Sequence, residues 1–331
     1  MEMLIVWLQF IAISVIIGIG GYQLSLQADQ IANKTGLGRN LVGIIMLATI
    51  TSLPELITGV SSVAFVENPN LAVGDVLGSC VFNLTLVFLL DLLYREGSIY
   101  SRATQGHVLT AALGMIMIGV VGFSLSLKGH NIMPPFFNVG ASSFVIPILY
   151  FLAMKMIYSF EKLNSSHEAI TKEKGSIKGN LIKFSLSAIV IICAGSFLPF
   201  VGEKIIDVMG WKSAFVGTIF MAIATSLPEV AVTISAVKMR AVELAFSNVL
   251  GSNLFNIIIL AIDDVAYRKG PLLAEAEPDH IITVFTALLM TAVVTIALIF
   301  PPQRRILNST SYFSIIVLLL FALNVYVIYR N

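Results

Sequence analysis

Charge is what this sequence holds least of. Lys, Arg, Asp and Glu make up only 12% of its 331 residues, about half the share usual for a soluble domain. The net charge of +1 offers no electrostatic ground for nucleic acid or for an acidic partner. Two cysteines cannot frame a disulfide-rich domain, and both Cys80 and Cys193 fall inside apolar runs, where they read as small buried hydrophobes. The N-terminus lacks the basic stretch that opens a cleaved signal peptide, so its apolar residues count as a first span.

What the chain does have is hydrophobic residues, 57% of the total, in long runs that recur from end to end. Ten are each long enough to cross the ~30 Å of a bilayer core: 3–26, 40–66, 71–93, 105–127, 135–158, 181–206, 214–238, 244–266, 279–300 and 310–329. The longest connector, 159–180, separates a first half of five spans (1–158) from a second (181–331). Connectors and span ends on one side hold fourteen of the twenty Lys and Arg residues. Positive charge favours the cytoplasm, which predicts an integral protein of the plasma (inner) membrane, with both termini outside and the 159–180 loop cytoplasmic.

The two halves repeat each other. Val42–Val63 aligns with Val216–Val237 at an offset of 174, with 11 of 22 positions identical, including Thr51-Ser52-Leu53-Pro54-Glu55 and Thr225-Ser226-Leu227-Pro228-Glu229. At an offset of 173, Leu77-Gly78-Ser79-Cys80-Val81-Phe82-Asn83 aligns with Leu250-Gly251-Ser252-Asn253-Leu254-Phe255-Asn256. The match continues through Asp91/Asp264, Arg95/Arg268 and His107/His280. Because five is odd, the second half enters the membrane the other way up. Inverted repeats bring paired motifs face to face near the midplane.

A carboxylate inside a span costs several kcal/mol unless something compensates it. Neither 40–66 nor 214–237 contains a Lys or Arg, so a cation is the natural partner of Glu55 and Glu229. Pro54 and Pro228 lack an amide hydrogen and break their helices, freeing carbonyls near Ala48 to Thr51 and near Ala222 to Thr225. Exposed carbonyls at membrane depth need a cavity or an ion. Thr51, Ser52 and Glu55 crowd one side of the first break, and Thr225, Ser226 and Glu229 one side of the second. Ser79 and Asn83 share a helical face, as do Ser252 and Asn256, while Gly78 and Gly251 permit close approach or a further break. The donor set is all oxygen, which suits calcium and sodium; the scarcity of His and Cys disfavours zinc or copper.

The paired Thr-Ser-Leu-Pro-Glu and Gly-Ser-x3-Asn motifs resemble the alpha-repeats of the cation/calcium exchanger superfamily, in its sodium/calcium branch. The resemblance covers both halves. It implies an all-α fold of ten transmembrane helices in two inverted repeats, with helices 2, 3, 7 and 8 broken and spans 1 and 6 sliding over the rest. It also implies calcium and sodium as transported ions, held around Glu55 and Glu229 by Ser52, Ser226, Thr51, Thr225, Ser79, Ser252, Asn83 and Asn256 and the carbonyls of Ala48 and Ala222. Prokaryotic members typically carry Asp where this chain has Asn256. The short 159–180 loop has no room for the calcium-sensing domains of animal exchangers.

No cofactor, enzymatic activity or obligatory protein partner is expected. Proton/calcium exchange is the alternative to sodium coupling, although that branch usually shows Gly-Asn-x-Pro-Glu. A cation channel is a further alternative, and a hydrolase built on Ser79 or Ser252 lacks a matched general base. Asp91/Arg95 and Asp264/Arg268 read as interfacial ion pairs or caps, and His107 and His280 as structural. Asp75 is set aside because its counterpart is Asn248.

Overall fold

In the computed structural model, residues 2–35, 47–127, 138–164, 176–303, 306 and 310–331 are described. The apolar runs form α1 (Glu2–Thr35), α2 (Ala48–Thr51), α3 (Leu53–Ala64), α4 (Pro69–Leu93), α5 (Gln105–Ser126), α6 (Ser142–Asn164) and α7 (Lys178–Met209). There follow α8 (Ser213–Thr225), α9 (Leu227–Lys238), α10 (Val242–Ala266), the short α11 (Leu272–Glu275), α12 (His280–Ile299) and α13 (Tyr312–Arg330). Among the described residues the only β pairing is an isolated bridge between Ile306 and Thr310.

Eight of these helices are long and apolar enough to cross a membrane, and α8 with α9, bent by 45°, makes a ninth. The second span is represented by α2 and α3; its first residues, 40–46, lie outside the described residues, as do 135–137 of the fifth span and 165–175 of the central connector. Large apolar side chains such as Leu4, Leu8 and Ile11 on α1 and Leu181, Leu186 and Ile189 on α7 point outward. That surface suits hydrocarbon rather than water, and the protein is an integral membrane protein. Cys193 belongs to it: the residue is exposed on α7, contrary to expectation, while Cys80 is buried.

The centre of the bundle is α4 against α10, two helices apolar almost all round and buried along most of their length. Here the expectation of breaks in spans 3 and 8 is overturned, because both helices run uninterrupted. Gly78 serves approach instead. A Cβ there would stand 2.2 Å from the Thr218 carbonyl oxygen, and one on Gly74 3.0 Å from the Gly217 Cα. Helix α4 thus packs backbone to backbone on the turn Val216–Met221, which is widened into π geometry within α8.

Connectors sort onto two faces. Arg240 pairs with Glu96 at 2.9 Å on one face; on the other, Lys269 pairs with Glu67, and Lys212 with Asp279 at 2.9 Å. Exposed pairs of this kind add little stability, but they report which loops are neighbours. Asp91 and Asp264 act as caps for neighbouring segments. Asp91 accepts from Thr310 Oγ1 and Ser314 Oγ and from the Ser311 amide at 2.6 Å; Asp264 accepts from the Gly140 amide at 2.7 Å, the Leu272 amide and Ser143. The histidines are matched: His107 Nε2 lies 3.1 Å from the Glu243 carbonyl at the start of α10, and His280 Nε2 lies 3.2 Å from Asn70 Oδ1 at the start of α4.

Candidate cation-binding site

The two proline motifs break their helices in the same way. Between α2 and α3, Ser52 has φ −86° and ψ 13°; between α8 and α9, Ser226 has φ −85° and ψ 10°. The cause is local: a proline cannot donate to a helix interior, but it is well placed in the first turn, whose amides lack partners anyway. The chain therefore ends one helix at the serine and begins another that carries Pro and then Glu in its first turn. The carbonyls left without a helical donor by Pro54 and Pro228 are those of Ile50 and Ala224. Those of Ala48 and Ala222 still accept from the Ser52 and Ser226 amides at 3.1 and 3.0 Å, leaving each a second lone pair.

Side chains then cross from motif to motif. Ser226 Oγ donates to Glu55 Oε1 at 2.8 Å, and Ser52 Oγ to Glu229 Oε1 at 3.2 Å. Ser226 Oγ also lies 3.0 Å from Ser79 Oγ, and Ser252 Oγ donates to Glu229 Oε1 at 3.3 Å. Thr51 Oγ1 is 3.2 Å from Ser252 Oγ and 3.2 Å from the Ala48 carbonyl; Thr225 Oγ1 is 3.5 Å from Ser79 Oγ and 3.3 Å from the Ala222 carbonyl. The serine–glutamate bridges and the contacts of Thr51 and Thr225 are matched between the halves, whereas the Ser226–Ser79 and Ser252–Glu229 contacts have no counterpart. All eight side chains are fully buried.

The second carboxylate oxygens, Glu55 Oε2 and Glu229 Oε2, have no hydrogen-bond partner. That is the central electrostatic fact of the site: two buried acids, each half satisfied, with neutral hydroxyls and carbonyls around them. Among the described residues no three His, Cys, Asp or Glu side chains converge closely enough to hold a metal alone. The remaining donors are hydroxyl, amide and backbone oxygens, a set that hard cations accept.

Asn83 and Asn256 stand one turn beyond Ser79 and Ser252, buried but outside this hydroxyl network. Asn83 Nδ2 donates to Asn253 Oδ1 at 3.2 Å, leaving its own Oδ1 unpartnered; neither polar atom of Asn256 has a partner. Two residues of the network, Asp75 and Asn248, are ones that the sequence motifs set aside. Thr225 Oγ1 donates to Asp75 Oδ1 at 2.9 Å, and Thr51 Oγ1 to Asn248 Oδ1 at 3.3 Å. The signal for them is helical spacing: Asp75, Ser79 and Asn83 form an i, i+4, i+8 row, as do Asn248, Ser252 and Asn256.

The model of the sodium/calcium exchanger protein family matches residues 5–160 and 180–330 of the chain. The chain belongs to that family. Among relatives of this exchanger-family protein, the sodium/calcium exchanger MaX1 of Methanosarcina acetivorans is 27% identical over 305 residues, covering 82% of this chain and 84% of the relative. The inner membrane protein YrbG of Escherichia coli is 24% identical over 265 residues, 75% of this chain and 78% of that one. The fold is shared with solved structures. The sodium-calcium exchanger NCX_Mj, soaked with Na+ and Sr2+, superposes with a TM-score of 0.67 at 18% identity, covering 98% of this chain and 99% of that one. Native YfkE superposes with a TM-score of 0.68 at 16% identity, covering 97% and 92%.

Proposed function

We propose that the protein is a secondary antiporter that exchanges sodium for calcium at the Glu55–Glu229 site by alternating access. The single observation carrying this reading is the pair of fully buried carboxylates, each bridged to the opposite motif through one oxygen and unpartnered at the other. Two such charges neutralise one calcium ion. The serine and threonine hydroxyls, the Ala48 and Ala222 carbonyls and the Asn83 and Asn256 amides complete its shell. Sodium competes for the same oxygens. Three sodium ions against two carboxylates leave one net positive charge, so exchange at that ratio is electrogenic, and sodium entry drives calcium out. The family match and the relative MaX1, named as a sodium/calcium exchanger, support cation exchange as the activity.

The same reading takes 1–158 and 181–331 as inverted five-span halves, ten spans in all, joined by a cytoplasmic 159–180 loop, with both termini outside the plasma membrane. The reciprocal hydrogen bonds support that symmetry. An inverted pair with one enclosed site suits alternating access better than a channel. The test is calcium uptake by proteoliposomes under imposed gradients. An outward-directed sodium gradient is expected to drive it; uptake driven by a pH gradient and indifferent to sodium reassigns the protein to proton exchange.

A further inference from the structure

The paired motifs do not use every buried acid. Asp263, in α10, is fully buried, and neither carboxylate oxygen has a hydrogen-bond partner. It presses on Gly59: a Cβ there would stand 2.4 Å from Asp263 Oδ2 and 2.8 Å from Oδ1. Gly59 follows Glu55 by four residues in α3, so Asp263 rests one helical turn beyond Glu55 on the same side of that helix. Asp75 is fully buried too. Its Oδ1 accepts from Thr225, and its Oδ2 is unpartnered. The Thr225 hydroxyl that donates to it lies 3.5 Å from Ser79 Oγ, so Asp75 joins the hydroxyl network around Glu55 and Glu229.

Both acids belong to one end of the bundle. Asp263 precedes by one turn the connector whose Lys269 pairs with Glu67, and Asp75 lies in the first two turns of α4, which begins just after Glu67. Helices α3, α4 and α10 contain no Lys or Arg. The internal repeat shows what the other end has instead: at the offset of 173, Asp75 corresponds to Asn248 and Asp263 to Leu90. A buried carboxylate short of donors and countercharge is costly; at this end Asp263 has no donor and Asp75 one, and their counterparts at the other end carry no charge. The neighbouring Asp264 has a different employment, since amides and a hydroxyl satisfy it.

We propose that Asp263 and Asp75 form a cation relay, a stepping site for calcium and sodium between the Glu67–Lys269 face and the Glu55–Glu229 site. A cation arriving from that face exchanges water for the Asp263 carboxylate, passes to Asp75 and the Thr225 hydroxyl, and reaches Ser79, Ser226 and Glu55. From the opposite face it meets an amide and an aliphatic side chain. The two faces therefore differ in cation affinity. This rests on the antiporter reading.

The experiment is sided: half-saturating calcium for flux is measured from each face in proteoliposomes of defined orientation, for wild type, Asp263→Asn, Asp75→Asn and Gly59→Ala. Each variant is expected to raise the value at the Glu67–Lys269 face relative to the opposite face by at least fivefold. Gly59→Ala does so with the charge retained, by displacing the Asp263 carboxylate. Should Asp263→Asn not fold, Asp75→Asn, which copies Asn248, carries the measurement. An unchanged ratio between faces, as a protonated acid or a merely structural group would give, overturns the relay alone. Absence of calcium flux in the wild type overturns the antiporter reading as well.

Discussion

Glu55 and Glu229 are equivalent by sequence but not by surroundings. Ser226 Oγ approaches Glu55 to 2.8 Å, while Ser52 Oγ reaches Glu229 only at 3.2 Å, with Ser252 sharing that oxygen at 3.3 Å. A hydrogen bond to a charged group contributes about 1.5–3 kcal/mol. Ser226→Ala is therefore expected to weaken calcium affinity roughly 10- to 100-fold, and Ser52→Ala less, because Ser252 remains on Glu229; calcium dependence of uptake distinguishes them. Removing a charge is more drastic. Glu55→Gln and Glu229→Gln each leave one carboxylate against a divalent ion, and sodium-driven calcium uptake should fall to background while the protein still elutes as a single species. Retained uptake in both variants would refute the assignment of the site. Asp75 is set aside by sequence because its counterpart is neutral, although it shares a helical row with Ser79 and Asn83; the contact from Thr225 across the helix pair places it in the network.

Among the helices, the serine breaks and the continuous α4 and α10 obey different rules. Proline acts on its own turn, so the breaks at Ser52 and Ser226 were legible from Pro54 and Pro228 alone. Glycine permits either a bend or a close approach, and the choice belongs to whatever packs against it. For Gly78 that is the Thr218 carbonyl. Gly78→Ala forces α4 away from that backbone and should lower stability by about 1–3 kcal/mol, as overpacking does. Gly119→Ala, with nothing within 4 Å of its Cβ position, should melt with the wild type or slightly above it. Thermal unfolding in detergent gives both values. The same logic places α1 on the second break. A Cβ at Gly21 would stand 2.1 Å from Pro228 Cγ, and one at Gly195 in α7 3.2 Å from Ile57 beside the first break. Spans 1 and 6, expected to slide, thus rest on the hinge turns through glycines related by the 174-residue offset.

Across the whole molecule, the ion pairs divide the connectors as span parity requires. Glu96 and Arg240 follow odd spans, whereas Glu67, Lys212, Lys269 and Asp279 follow even ones. With fourteen of twenty basic residues on the odd side, the positive-inside bias predicts that this side faces the cytoplasm. A protease site inserted in the 159–180 loop of the protein in intact cells should resist external protease, while a tag following Asn331 should be accessible. The reverse pattern would invert the orientation and exchange the two faces of the relay.

Composition and the length of the apolar runs were enough to determine a membrane-embedded helical bundle, because hydrocarbon admits backbone only when its hydrogen bonds are internal. The duplicated motifs pointed to the threonines, serines and glutamates that lie together, but not to Asp75 or Asn248, which join them, and they included Asn83 and Asn256, which stand outside the network. Tertiary structure alone decided how they meet: which serine caps which glutamate, which glycine is contact rather than hinge, and which end of the bundle holds the extra acids. Those outcomes depend on atoms brought together from opposite halves of the chain, and no local spacing encodes them.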